Sequence, residues 1–221
     1  MQAGPRKGKG GVEGKAAEPA GPLALTGWVL FDWATQPFYT LVVTFLFGPY
    51  FVSGFIGDPA LGATLWAYAT GGAELIAALL APILGSIADA GFPRKPWIAG
   101  FSVLLVAGLC GLWLAVPGQT DMAPLVLLSF ALATIGAELA TVFNNAMMPS
   151  LVPAKRLGTL SGIGWAAGYA GGLVSLVLVA GFVVADPDTG MMGLRPSRVL
   201  PVSGSATMKP ATITRLTSPP T

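Results

Sequence analysis

The stretch WATQPFYTLVVTFLFGPYFVSGFIG, from Trp33 to Gly57, contains no charged side chain. It is longer than the roughly 20 apolar residues that cross the hydrocarbon core of a bilayer. Outward from it the pattern repeats. Between Asp32 and Asp186 only nine side chains are charged, and they divide the chain into five such runs: Trp33 to Gly57, Pro59 to Ala88 with Glu74 inside it, Pro96 to Thr120, Met122 to Ala154 with Glu138 inside it, and Leu157 to Ala185. The buried helix of a soluble domain is shorter than any of them. The chain therefore reads as an all-α membrane protein. A helix bundle is expected over residues 26–186, with spans at about 28–56, 62–88, 97–116, 123–147 and 160–185, flanked by tails at 1–25 and 187–221.

Composition points the same way. Hydrophobic residues make up 53% of the chain and charged residues 10%, against about one quarter charged in soluble domains, and the mean hydropathy is +0.70. Glycine is abundant, at 30 residues. In water that would suggest loops, but inside apolar runs it suggests helices that approach closely through small residues. The lone Cys110 excludes a disulfide framework within the chain and is expected to be a small buried apolar residue of the third run. His is absent, which removes imidazole metal sites and His-based catalysis.

Basic residues set the orientation. Arg6, Lys7, Lys9 and Lys15 precede the first span, Arg94 and Lys95 lie between spans two and three, and Lys155 and Arg156 lie between spans four and five. All eight fall on one side. The loops around Asp58 and Asp121 hold no Lys or Arg, so the positive-inside rule places the N-terminus and both basic loops in the cytoplasm of a multi-pass cell-membrane protein. Residues before the first span lack an apolar region of their own and are expected to be a disordered cytoplasmic tail, the first span being an uncleaved insertion signal.

The end of the chain departs from this order. From Asp186 to Thr221 there are six Pro and ten Ser or Thr, and no apolar run long enough to span, so disordered coil is expected. After five spans this tail would lie outside, yet it carries Arg195, Arg198, Lys209 and Arg215. One account is an external tail that obeys the rule weakly. The other is a chain truncated, or read out of frame, near Gly190.

Two carboxylates sit within the runs. Glu74 is about midway along span two, and Glu138 a little past the middle of span four. An acidic residue at a helix centre costs about 2.5 to 3.5 kcal/mol, so such residues normally face a bundle interior or a watered cavity and belong to a solute or ion path. No Lys or Arg occurs within a span. Without a counter-cation, burial favours the neutral acid, the condition that proton coupling requires. Both readings stand: coupling or solute contact, and a neutral acid hydrogen-bonded between helices. Asp32 lies in Gly27-Trp28-Val29-Leu30-Phe31-Asp32-Trp33, near the expected start of span one, where it fits either an interfacial helix start or the path. Pro37 removes a backbone donor five residues on and is expected to kink the helix.

After span two comes Gly85-Ser86-Ile87-Ala88-Asp89-Ala90-Gly91-Phe92-Pro93-Arg94-Lys95-Pro96. An Asp at a helix C-terminus opposes the macrodipole, so Asp89 needs a partner: Arg94 or Lys95 across the Gly91 turn, or another helix N-terminus. That is the outline of a conformational lock.

Gly85 to Lys95 resembles the loop motif joining helices two and three of major facilitator superfamily transporters, with Ala90 where a basic residue is usual and Phe92-Pro93 lengthening the turn. Three further segments are Gly27-Trp28-Val29-Leu30-Phe31-Asp32-Trp33-Ala34, Phe143-Asn144-Asn145-Ala146-Met147-Met148-Pro149-Ser150-Leu151, and the stretch from Ser161 to Gly172. Together these resemble the branch that contains the autophagy-linked vacuolar amino-acid effluxer and its bacterial relatives, over about Thr26 to Thr189. The resemblance implies two six-helix halves moving by alternating access around a solute path. This chain would supply five helices of the first half. The sixth would be missing, which favours the truncated account of the tail and implies the C-terminal half of the transporter, as a separate chain, among the partners. Asn144 and Asn145 would then lie at the inner mouth or cap the helix. Gly164, Gly168 and Gly172, every four positions, would let span five pack closely on a neighbour.

The expected function is secondary transport of a small solute such as an amino acid, in the outward direction; the alternative is a membrane subunit or fragment inactive without a second half. An enzyme is disfavoured, since there is no His, no Cys cluster and no phosphate loop. No catalytic residue, metal site or cofactor is expected. Nucleic acid is excluded as a partner by a net charge of only +2 spread over short loops; the expected partners are the lipid bilayer and the solute.

Overall fold

The computed structural model describes residues 20–91 and 93–185, with side chains described as far as Phe182. Most of both expected tails, and the junction near Gly190, lie outside those residues. The described part is helical throughout and without strands. Five helices are long and apolar enough to cross a membrane: Pro22–Phe55, Pro59–Asp89, Arg94–Leu114, Thr120–Leu151 and Leu157–Ala185, called spans one to five below.

Span one begins at Pro22, six residues before the expected 28 and inside the expected tail. Pro at the first helical position lacks a donor that would be unsatisfied there anyway, and its φ is already helical. Ala20 N–H then donates to Leu151 O at 3.1 Å, tying this end to that of span four. Asp58 starts span two by accepting from Ala60 N and Leu61 N at 2.9 and 3.1 Å, an N-cap that places the helix start at Pro59. Gly91 makes the next turn, at φ +113°, a conformation that L side chains rarely adopt.

Pro37 does not break span one. The helix continues in π-helical form from Phe38 to Phe45, and again from Tyr50 to Phe55 after Pro49. A proline leaves the carbonyl four residues back without its donor, here that of Trp33, and the wider turn accommodates this. Gly171 of span five lies so close to Trp33 O that a Cβ there would overlap it.

Span four is the centre of the bundle. It packs along span three, along span two and against span one, while span five packs on span one. Spans three and four approach backbone to backbone: a Cβ on Gly136 would lie 2.6 Å from Leu105 N, and one on Gly108 2.6 Å from Ala133 N. Apolar burial gives little association in lipid, so such close contact and interhelical hydrogen bonds hold the helices together.

The end bearing Asp58 is filled by aromatic rings. Trp66 of span two lies 4.0 Å between ring centroids from Phe130 of span four and 5.5 Å from Phe51 of span one, with Phe47 and Phe55 beside them. Tyr50 donates its hydroxyl to Ala115 O at 2.6 Å, closing the same end. The end bearing Arg94 and Lys155 has the Trp97–Phe143–Phe101 stack and a smaller apolar cluster of Trp28, Leu151 and Leu160, and leaves space between the helices.

Candidate functional site

Two cavities lie in that space. The larger, about 410 Å³, lies among spans one, four and five; Asp32, Gln36 and Tyr39 line it from span one, Thr141 and Asn145 from span four, and Trp165 from span five. The smaller, about 250 Å³, lies between spans two and four and is lined by Glu74, Glu138 and four apolar residues. Tyr39 separates them. Its ring borders the first cavity, and its hydroxyl donates to Glu138 Oε1 at 3.0 Å on the edge of the second. The hydroxyl is thus positioned between the carboxylate and the larger space.

Local sequence explains the geometry. Trp28, Asp32, Thr35, Gln36 and Tyr39 recur at helical spacing on one face of span one, the inverse of an apolar stripe. Tyr39 is the second residue of the π-helical stretch that follows Pro37. On span four, Glu138, Thr141 and Asn145 form a matching polar face, and on span five Ser161, Gly164, Trp165, Gly168 and Tyr169 face the same cavity.

Asp32 lies ten residues inside its helix, which begins at Pro22. Glu74 and Glu138 come together in one cavity, Glu74 exposed and Glu138 half-buried. Asn144 and Asn145 separate. Asn144 is buried and exchanges hydrogen bonds with Trp28: the indole N–H donates to Asn144 O at 2.8 Å, and Asn144 Nδ2 lies 3.5 Å from Trp28 O. Asn145 faces the larger cavity, and neither side chain caps the helix.

The small residues of span five do face span one, with unequal clearance. A Cβ on Gly164 would lie 2.7 Å from Asp32 Oδ2 and from the Trp28 ring, and one on Gly172 2.5 Å from Thr40 Oγ1, but one on Gly168 would meet nothing nearer than 3.5 Å. Gly171, which the four-residue spacing passes over, makes the closest approach of the series.

The loop after span two holds the one ion pair among the described residues, Arg94 Nη2 to Asp89 Oδ1 at 2.6 Å, with both groups at least a third exposed. Lys95 is exposed and Gly85 has open space around its Cα. Of the three expected partners, Arg94, Lys95 and another helix N-terminus, Asp89 takes Arg94.

Sequence reading missed Gln36, Tyr39, Thr141, Trp165 and Tyr169. The available signal was the polar stripe at helical spacing, which a search for charges alone overlooks. Among the described residues no group of His, Cys, Asp or Glu is arranged to hold a metal ion.

Five apolar spans enclosing polar cavities define a multi-pass α-helical membrane protein. Over 167 residues the chain is 30% identical to the uncharacterized MFS-type transporter YxiO of Bacillus subtilis (strain 168), in an alignment covering 73% of this chain and 38% of that protein. The chain thus spans less than two fifths of the length of the curated relative it matches. No family model matches the chain, and no solved structure does. The similarity supports the major facilitator superfamily, the one that the sequence motifs resemble.

Proposed function

We propose that this chain forms most of the N-terminal half of a secondary transporter of the major facilitator type, moving a small solute such as an amino acid outward by alternating access. The observation that carries the reading is the Tyr39–Glu138 hydrogen bond where two polar cavities meet inside an apolar bundle. Carboxylates are costly in such a place unless they face a path. In this reading Asp32, Glu74 and Glu138 line the route or couple it to protons. Asn145 lies at the inner mouth, and the Asp89–Arg94 pair gates the cytoplasmic loop. The N-terminus and basic loops are cytoplasmic, so the cavities open inward and the aromatic end lies outside. Further helices, on the same or a separate chain, complete the path.

The branch of the autophagy-linked effluxer remains the proposed position within the superfamily. The test uses the full-length relative reconstituted in vesicles. Glu138→Gln keeps size and hydrogen bonding but cannot ionise; it should abolish gradient-driven flux while leaving insertion intact, and Glu74→Gln should reduce it. Unchanged flux in both across pH would assign these acids to packing. The second reading, a subunit or fragment inactive alone, is favoured by the fraction of the relative that the chain covers. It expects no saturable flux from this chain reconstituted by itself.

A further inference from the structure

We infer that the larger cavity recognises an organic ammonium ion that carries no free carboxylate. This rests on the transporter reading and replaces the amino acid given there as an example of the solute with amines and their derivatives.

The lining carries a single charge, that of Asp32, and no basic side chain among the described residues. Asp32 is half-buried, and the one ion pair among the described residues, Asp89–Arg94, does not involve it. The backbone of span five lies directly behind it at Gly164, where the missing Cβ leaves room for the carboxylate. Four aromatic residues, Trp28, Tyr39, Trp165 and Tyr169, line the same cavity. Trp28 is 3% exposed and its indole is anchored by the hydrogen bond to Asn144 O, so that wall is fixed. Tyr39 is held by Glu138. Trp165 and Tyr169, 5.7 Å apart between centroids, are 67% and 59% exposed and offer ring surface from span five.

A carboxylate in a cavity lined by aromatic rings is the chemistry that binds ammonium groups, by charge and by cation–π attraction. The remaining lining, Gln36, Thr141 and Ser161 among it, is neutral and polar. A volume of about 410 Å³ suits a small organic molecule. A zwitterion fits worse, because its carboxylate would meet Asp32 with no cation among the lining residues to receive it. Specificity then comes from repulsion as well as attraction.

The test is calorimetric titration of the full chain in lipid nanodiscs with phenethylammonium, its neutral isostere phenethyl alcohol, and zwitterionic phenylalanine. Phenethylammonium should bind saturably and both others at least about ten-fold more weakly. Asp32→Asn should weaken the ammonium at least about ten-fold, whereas Asp32→Glu, which keeps the charge, should stay within about three-fold. Trp165→Leu, at an exposed position, should weaken it by about three- to ten-fold and carries the test if Asp32→Asn does not fold. No saturable binding of the ammonium, equal binding of phenylalanine, or affinity unchanged in Asp32→Asn or in Trp165→Leu overturns the inference. Binding of phenylalanine alone would do so while leaving the transporter reading intact, since that reading fails on flux.

Discussion

Span five packs on span one through glycines of graded clearance, and a series of Gly→Ala variants converts that gradient into stabilities. At Gly171 the added Cβ overlaps Trp33 O and lies 3.1 Å from Trp33 Cδ1. A backbone carbonyl cannot rotate aside, so the helices must separate locally; overpacking of this kind costs about 1 to 3 kcal/mol. The better helix propensity of Ala returns up to about 1 kcal/mol. With that return in full, Gly171→Ala should lose up to about 2 kcal/mol net, up to about 8 °C in a midpoint for a chain of this size. Gly164→Ala should fall in the same range, because the Trp28 ring it would strike is anchored to Asn144. Gly168→Ala has 3.5 Å of clearance and Gly162→Ala meets nothing within 4 Å, so both should match or exceed the parent. Thermal unfolding in one detergent, followed by tryptophan fluorescence, ranks the four. If Gly171→Ala proves as stable as Gly162→Ala, the close seam between spans one and five is wrong.

Trp28→Phe removes the indole donor to Asn144 O and should lower stability by about 0.6 to 1.7 kcal/mol, the range of interhelical hydrogen bonds in membranes; a thermal midpoint equal to the parent's would contradict this. Breaking the exposed Asp89–Arg94 pair with Arg94→Ala should change stability by less than about 1 kcal/mol yet slow flux in the full-length relative, with recovery in the charge-swapped double variant. Cysteines introduced beside Asp58 and Asp121 should react with an impermeant reagent on intact cells, whereas labelling only after permeabilisation would reverse the orientation.

Apolar run length was enough to find all five helices, because a span in lipid must satisfy its backbone within itself and so must be a long uninterrupted helix. Helix ends were less legible. Pro22 and Asp58 start their helices through local backbone chemistry that a hydropathy pattern ignores. At the candidate site, Glu74 and Glu138 stood out because charge in an apolar run is rare. Tyr39 did not, since a tyrosine is ordinary in sequence and becomes informative only when span one is packed on span four. The four-residue glycine spacing identified the right face of span five but missed Gly171. Its close contact is with a backbone carbonyl of another helix, that of Trp33, a relation that no single segment contains.

The central position of span four bears on biogenesis. Chain synthesis delivers spans one to three first, at about 5 to 20 residues per second. Of these, spans one and two already meet where Gly62 rests on Val52, but span three has its main partner in span four. The polar faces of Asp32, Tyr39 and Glu74 wait with it. Only when residues up to Leu151 have entered the membrane do the Trp66–Phe130 contact, the Gly108 and Gly136 seam and the Tyr39–Glu138 hydrogen bond become available. Span five then docks on span one, the first helix made. Until then the nascent protein is a loose set of inserted helices, and quality control that recognises unpaired polar residues in lipid has its widest opportunity in that interval.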